Sequence, residues 1–159
     1  MSTAHAILIS LSSKRLTLLE SEPETLEDVV EARHDEPIPG LLDLKTHWET
    51  LDLLLSGRGR DEILGDALLA RTGKRFDAGD AFEQAKVLSP QRVAEIAAKL
   101  AEFPAASVTE RFKQLAEAKT PGKPANAKAL AEIDTLYAKI VALYTDAAKE
   151  KRSMLAILV

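Results

Sequence analysis

The chain has 159 residues, of which 46% are hydrophobic, and its 21 basic and 25 acidic side chains leave a net charge of −4. A chain of this length buries roughly 70% of its unfolded surface, so it can form a core without cross-links. It contains no cysteine, which excludes thiolate catalysis, disulfides and cysteine-based zinc sites. The acidic balance gives no general attraction for phosphate backbones, so nucleic acid is not an expected partner.

The N-terminal segment lacks the pattern of an export signal. The stretch MSTAHAILISLSSKRL has an apolar run of about five residues, and its positive charges follow that run instead of preceding it. No stretch approaches the roughly 18 consecutive apolar residues of a membrane helix. The sequence therefore predicts one soluble, cytoplasmic domain over residues 1–159 that does not contact a membrane.

The first part of the chain predicts a strand followed by two short helices. The aliphatic run AHAILISLS is too short for an independent helix and indicates a buried strand. Ser12 or Ser13 then caps a helix that ends at Pro23. A second helix is expected in TLEDVVEAR, with Thr25 as its cap. The two prolines of DEPIPG predict an extended connection after it.

The segment KTHWETLDLLLSG has the most specific helix pattern in the chain. Thr46 and Glu49 have the spacing of a capping box, in which each side chain satisfies a free backbone N–H at the helix start. Trp48 shares one face with the leucines that follow it, so core packing is its expected role. Gly57 is expected to end the helix in the left-handed conformation. The alternative role for Trp48 is to line a pocket.

Residues 58–87 have the weakest pattern. Turn signals at residues 72–73 and 78–79 are compatible with two or three short strands or with a long loop. The stretch GRGRDEILG lacks the dinucleotide-binding fingerprint, because residue 62 is Glu and a helix precedes it. The stretch TGKR lacks the first glycine and the final Ser or Thr of a phosphate-binding loop. No nucleotide site is predicted here.

The C-terminal half predicts three helices and a final apolar run. Ser89 caps the first of these helices, with Pro90 at its first position. Ser107 and Glu110 form a second capping box, and the longest helix is expected from about Asn126 to Lys151. The closing MLAILV is either a strand or an extension of that helix, because its length cannot decide between them.

Two apolar strands at opposite ends of the chain, separated by helices, predict the fold class. We expect an α+β, mainly helical domain in which the N- and C-terminal strands pair in a small sheet covered by helices. The strand order does not follow from these patterns.

Candidate catalytic and metal-binding groups are few. The sequence has three histidines: His5, His34 and His47. They lie far apart and lack the i, i+4 spacing of a helical metal site. Asp77, Asp80 and Glu83 form a small acidic cluster that has the chemistry to bind a hard cation, although a solvated acidic loop is the expected state. No nucleophile elbow is present, and no cofactor is predicted.

Two motifs match the pattern of a known family. The stretch DLKTHWETLDLLLSG matches a helix motif that contains an Asp and a Trp and ends in Leu-Leu-Thr/Ser-Gly. The stretch DAGDAFEQAKVLSPQRV matches a glycine-containing segment that leads into a Leu-Thr/Ser-Pro helix start. On these motifs the chain resembles the bacterial YfbM-like family, a domain of unknown function, over nearly its whole length. The resemblance implies an α+β domain from a bacterium and favours a strand for MLAILV.

The chain also departs from that pattern. The family often has histidines at the positions of Glu49 and Asp52, and a Gly-Pro pair at the positions of Glu83 and Gln84. If those positions form a site in relatives, this chain lacks or has altered it. The resemblance implies no reaction, because the family has no established function.

Two functional hypotheses follow. The favoured one is a non-enzymatic interaction protein that docks to another bacterial protein, because no nucleophile, metal or phosphate motif is present and the irregular residues 58–87 offer a binding surface. The alternative is a small-molecule-binding protein or enzyme with a pocket between the end of the Trp48 helix and residues 76–83. There an arginine would hold an anionic group and an aspartate would act on it. The candidate ligand-binding residues are Trp48, Arg58, Arg60, Asp77, Asp80 and Phe82.

Overall fold

A computed structural model describes residues 4–35, 38–57, 60–77, 82, 84–122 and 126–159. Its helices are α1 (Ser13–Ser21), α2 (Thr25–Ala32), α3 (Trp48–Ser56), α4 (Glu62–Gly65), α5 (Pro90–Ala101), α6 (Ala105–Lys119) and α7 (Ala127–Lys149). Its strands are β1 (Ala6–Leu11), β2 (Leu41–Lys45), β3 (Lys74–Arg75), β4 (Gln84–Leu88) and β5 (Ser153–Leu158). No described helix is both long and apolar enough to cross a membrane.

The strands form one antiparallel sheet in the order β2-β1-β5-β4-β3. The two terminal strands pair along their full length, from Ala6 opposite Leu158 to Leu11 opposite Ser153. The predicted α+β class and the predicted pairing of the N- and C-terminal strands are therefore confirmed. MLAILV is a strand and does not extend α7, because Lys151 takes a left-handed φ of 54° and turns the chain back.

Both faces of the sheet are covered, which explains why β1 and β5 are almost continuously apolar. Alternate residues of β1 point to opposite faces, so Leu8 joins the larger core and Ile7 joins the smaller one. The larger core is built with α3, α4, α5, α6 and α7, and the smaller core is built with α1 and α2. The helices on the larger-core side carry the candidate site described below.

The long C-terminal helix follows the predicted spacing. Its buried face consists of Ile133, Tyr137, Ile140, Tyr144 and Ala147. The Asn126 side chain caps the helix by accepting the Lys128 N–H at 2.9 Å and the Ala129 N–H at 3.1 Å. The predicted boundaries and face of this helix are therefore correct to within two residues.

Three predicted caps are confirmed and three are wrong. Ser12 and Ser89 accept backbone N–H groups at the starts of α1 and α5, and Gly57 ends α3 with a φ of 60°. The Thr46–Glu49 capping box does not form, because α3 begins at Trp48 and His47 holds the cap position without a side-chain hydrogen bond. The physical reason is that β2 continues to Lys45, so the residues between Lys45 and Trp48 form the turn from the strand into α3.

The other two corrections have similar local causes. Helix α6 begins at Ala105, so Ser107 lies inside it instead of capping it. Pro104 precedes the helix with a φ of −67°, a backbone angle that suits a helix start. Thr25 is the first residue of α2, and its hydroxyl donates to the Glu22 carbonyl at 2.8 Å instead of accepting a helix N–H.

Residues 60–77 and 84–88 contain a short helix and two strands where the sequence predicted either strands or a loop. Asp61 caps α4 by accepting the Leu64 N–H at 2.9 Å. At the predicted turn, Gly73 passes so close to the backbone that a Cβ would lie 2.7 Å from the Val87 oxygen. A larger residue there would push β3 away from β4.

Candidate functional site

A cavity of about 700 Å³ opens at the C-terminal end of α3, where α3, α4 and α6 meet. We call it the α3–α6 pocket. Its apolar walls include Leu53, Leu64, Phe103 and Leu115, and its charged groups are Arg60, Asp61 and Arg111. The pocket exists at this place because the apolar face of α3 turns into the core and leaves the end of the helix as one wall.

Arg111 of α6 is held in place at the end of α3. Its Nη1 donates to the Leu54 carbonyl oxygen at 2.7 Å, and its guanidinium carbon lies 4.4 Å from the centre of the Phe103 ring. The last carbonyls of a helix lack partners inside the helix and carry partial negative charge, so an arginine there is favourable. Stacking on an aromatic ring adds a cation–π contact and restricts the side chain further.

Arg111 is an exposed residue, and most of its N–H groups have no partner among the described residues. A guanidinium has five N–H donors, and among the described residues Arg111 uses a single one, on Leu54. Arg60 is exposed at the rim and forms no ion pair with a described residue. By contrast, Arg33 and Arg92 bind buried or half-buried carboxylates at 3.0 and 3.1 Å. The pocket therefore has two cations that the described carboxylates do not neutralise by contact.

The carboxylate at the pocket is already engaged. Asp61 accepts the Leu64 N–H and so serves as the cap of α4. The described groups whose pKa is displaced lie outside the pocket: Asp43, Arg71, Tyr137 and Tyr144. No shifted acid or base among the described residues therefore faces a ligand bound here.

The displaced pKa values have local causes. Burial opposes the charge of Asp43, but hydrogen bonds from the Lys45 N–H and from Arg33 outweigh it and lower the pKa of Asp43. The hydrogen bond to Asp52 raises the pKa of Arg71. Burial raises the pKa of Tyr137 and of Tyr144. These groups stabilise the fold at several separate points.

Of the predicted ligand-binding residues that the structure describes, Arg60 alone lines the pocket. Trp48 lies at the opposite end of α3, packs half-buried against the larger core and donates its indole N–H to the Ala4 oxygen at 2.9 Å. Phe82 packs against the smaller core, on the other side of the sheet. Asp77 is exposed beyond β3 and lines no part of the pocket. The structure does not bring these residues together.

The remaining predicted residues fall outside the described part of the chain. Arg58 and Asp80 were candidate ligand-binding residues, and Glu83 completed the acidic cluster. Within the described residues, no group of three His, Asp or Glu side chains is placed to hold a metal ion. Two histidines each approach one carboxylate: His5 Nδ1 lies 3.4 Å from Asp43, and His47 Nε2 lies 2.9 Å from Glu132.

Arg111 is the site residue that sequence reasoning missed. Its partner Leu54 is 57 residues away, so no local pattern connects them. The helix face assigned to the core passes through Val108, Phe112 and Leu115, which leaves Arg111 at its border. The one signal in the sequence is a basic residue at the border of that face, which is also the pattern of an ordinary exposed arginine.

The comparison with known proteins identifies the family. A family model described as a domain of unknown function (DUF1877) matches residues 1–157. The chain belongs to the DUF1877 family. Among solved structures, YfbM from Escherichia coli, a protein of unknown function, is similar with a TM-score of 0.67 and 15% sequence identity, over 98% of this chain and 99% of that chain. The predicted resemblance to the YfbM-like family is confirmed.

These matches bear on the fold and not on activity. At 15% identity, the likeness to YfbM shows that the two chains share a fold. No curated protein matches the chain. The function of this DUF1877 chain therefore has to be argued from its own residues.

Proposed function

We propose that this DUF1877 protein is a non-enzymatic binding protein that recognises an anionic group in the α3–α6 pocket. The observation that carries the proposal is the state of Arg111, which is held by Leu54 and Phe103 while most of its donors have no partner among the described residues. The recognised group is a carboxylate or a phosphate, the anions that match the planar fork of a guanidinium.

The fixed position of Arg111 favours binding. A free arginine side chain loses rotamer freedom when it binds an anion, which costs about 0.5–1.5 kcal/mol per side chain. Arg111 has lost part of that freedom in the unbound protein, through its contacts with Leu54 and Phe103. An anion at the pocket therefore meets a donor group that is already oriented.

The rest of the pocket accommodates a ligand with an apolar part. Arg60 supplies a second positive charge at the rim, and Leu53, Leu64 and Phe103 supply apolar surface. The volume of about 700 Å³ lies within the range of roughly 300–1,000 Å³ that is typical of ligand sites. A bare ion would leave most of this space unfilled.

The described chemistry supports binding more than catalysis. General acid–base catalysis needs a titratable group within hydrogen-bond reach of the reacting atom. The described carboxylate at the pocket, Asp61, caps α4, and the described groups with a displaced pKa lie elsewhere.

The test is a titration of the full chain with inorganic phosphate and with citrate, followed by two-dimensional ¹H–¹⁵N NMR of backbone and arginine Nε–H groups. We expect saturable shifts at Arg111, Arg60 and the end of α3. Arg111→Gln and Arg60→Gln should each weaken binding by at least about tenfold, since a charge-assisted hydrogen bond contributes roughly 1.5–3 kcal/mol.

The matched control is Arg75→Gln. Arg75 is an exposed arginine on β3 that lines no part of the pocket, so its loss should leave the affinity unchanged. An unaltered affinity in the Arg60→Gln/Arg111→Gln double variant, with the fold intact by NMR, would rule out the proposed site.

A further inference from the structure

We infer that the anionic group belongs to an acidic segment of another protein, which lies along α6 and reaches from the α3–α6 pocket into a second cavity. This inference rests on the proposed function, because it takes Arg111 as the anion-binding group. It adds the class of the ligand and a second part of the site.

The second cavity has a volume of about 310 Å³ and lies beneath the C-terminal half of α6. Its lining includes Thr50 of α3, Phe112, Leu115 and Ala116 of α6, with Lys119 beside them. Leu115 lines the α3–α6 pocket as well, so the two cavities adjoin at this side chain. The combined site therefore extends from Arg111, which lines the α3–α6 pocket, past Leu115 to Lys119, which lines the second cavity.

Three residues of α6 form one stripe along this site. Arg111, Leu115 and Lys119 are spaced four apart, and residues at this spacing lie above one another on a helix. The stripe therefore presents a cation, an apolar side chain and a second cation in order. Lys119 is exposed and forms no ion pair with a described carboxylate.

The length of the stripe favours an extended polypeptide over a small anion as the ligand. At about 1.5 Å of helix rise per residue, the backbone of Arg111 and that of Lys119 are separated by roughly 12 Å. An extended polypeptide advances about 3.3–3.6 Å per residue, so acidic side chains three or four positions apart span this distance. A single phosphate or carboxylate contacts one end of the stripe and leaves the other unpaired.

Charge complementarity identifies the occupant. Three cations, Arg60, Arg111 and Lys119, line the two cavities together with apolar side chains and one described carboxylate, Asp61, on a chain whose net charge is −4. Protein interfaces frequently combine arginine with apolar anchors in this way. A segment with two acidic residues around a leucine- or phenylalanine-like residue matches the cations and the apolar centre at once.

Taken singly, Arg111 and Lys119 each also have an ordinary structural role. Arg111 caps the end of α3, and Lys119 stabilises the last turn of α6 through the helix dipole. Neither role requires an apolar side chain between them that lines two adjoining cavities. The effect of each variant on stability therefore has to be measured separately from its effect on binding.

The test is selection of random 12-residue peptides, displayed on phage, against the full chain. We expect enriched peptides to carry two Asp or Glu residues three or four positions apart with an apolar residue between them. For the best synthetic peptide, fluorescence polarisation should show about tenfold weaker binding to Arg111→Gln and several-fold weaker binding to Lys119→Gln. Ala116→Glu, which fills the second cavity and repels an acidic ligand, should abolish most of the binding.

Lys113→Gln is the matched control, because Lys113 is an exposed lysine of the same helix that lines neither cavity. Its affinity for the peptide should equal that of the parent protein. Thermal melting of every variant monitors the fold. If Arg111→Gln does not fold, Arg111→Lys replaces it: this variant keeps a charge near Leu54 but loses the planar fork, and it should still weaken binding.

The outcomes distinguish this inference from the proposed function. Phosphate binding that depends on Arg60 and Arg111, with no acidic peptide selected, would retain the proposed function and overturn the acidic segment. Selected peptides that bind Lys119→Gln and Ala116→Glu as well as they bind the parent protein would also overturn it. If the folded parent protein binds neither phosphate nor any peptide, both proposals are contradicted.

Discussion

At the scale of single residues, Asp66 is a fully buried carboxylate in the described structure. It has no exposed surface, and it accepts hydrogen bonds from the Thr72 N–H at 2.8 Å and from the Thr72 hydroxyl. Arg92 of α5 pairs with it at 3.1 Å. A buried carboxylate of this kind is tolerated because every oxygen has a partner. Asp66 thereby ties the segment after α4 to α5.

We predict that Asp66→Ala lowers the free energy of unfolding by about 3 kcal/mol. The substitution leaves Arg92 largely buried without its main partner and removes the two hydrogen bonds from Thr72, as happens when one member of a buried ion pair is removed. Urea denaturation measures the change. Glu95→Ala, which removes a partly exposed carboxylate 3.6 Å from Arg92, should change stability by less than about 0.5 kcal/mol. Equal effects from the two variants would contradict the prediction.

Trp48 shows how far sequence reasoning reached for one residue. Its register with the leucines of α3 indicated core packing and predicted a partner for the indole N–H. In the structure it packs against the larger core and donates to Ala4. The partner itself lies 44 residues away, in the segment before β1, and no local pattern indicates it.

At the scale of elements, the starts of the helices show which features follow from the local sequence and which do not. Ser89 and Ser107 both precede a helical pattern with the composition of a cap. Ser89 accepts the Arg92 N–H at 3.2 Å, whereas Ser107 lies in the first turn of α6, after Pro104 and Ala105. The prolines differ in position: Pro90 follows its cap, and Pro104 holds the cap position itself.

We predict opposite outcomes for two serine-to-alanine substitutions. Ser89→Ala should lower the free energy of unfolding by about 1 kcal/mol, because it removes the side chain that satisfies a helix N–H. Ser107→Ala should change it by less than about 0.5 kcal/mol, because alanine is the best helix former within a helix. Chemical denaturation of the two variants in parallel is the measurement. A loss of about 1 kcal/mol at Ser107 would indicate the capping box that the sequence suggested.

The strands also differ in whether the local sequence indicates them or pairing with another strand forms them. β1 is apolar on both faces and could be recognised from composition, whereas the apolar run of β5 was also compatible with an extension of α7. β2 and β4 are partly exposed strands with charged residues, such as Asp43 and Lys86. The sequence predicted no strand at β2, and at β4 it left short strands or a loop as alternatives. Their hydrogen bonds to β1 and β5 make them strands.

At the scale of the whole molecule, buried ionisable groups limit the range of pH in which the fold is stable. Asp43 joins β2 to Arg33 after α2 at 3.0 Å, and its lowered pKa means that the folded state prefers the ionised form. Tyr144 is fully buried and donates to the Ala67 oxygen, and its raised pKa means that the folded state prefers the neutral form.

We predict a stability plateau that falls at both ends of the pH scale. The Asp43 contribution is present above its unfolded pKa of about 3.9 and is lost as pH falls through its lower folded value. The Tyr144 contribution is present below the unfolded tyrosine pKa of about 10 and is lost as pH rises beyond it. Urea denaturation from about pH 2 to 11 gives the profile. Asp43→Asn should flatten its acid limb, and an unchanged acid slope in this variant would contradict the assignment.

The sequence by itself determined the features that depend on neighbours along the chain. These are the apolar strand β1, the spacing of α7, the caps at Ser12 and Ser89, and the left-handed end at Gly57. Each arises from backbone geometry and hydrogen bonds over a few residues, so the residue pattern carries the information. The α+β class followed because two buried strands at opposite ends of a helical chain have to pair.

The tertiary structure decided the features that depend on residues far apart in sequence. α4 forms around Asp61 and is held by the buried contacts of Asp66, and β2 becomes a strand through its pairing with β1. The candidate site arises in the same way, since Arg111 meets Leu54 across 57 residues. Packing against the common core sets these distances, and packing depends on the whole fold instead of any local pattern.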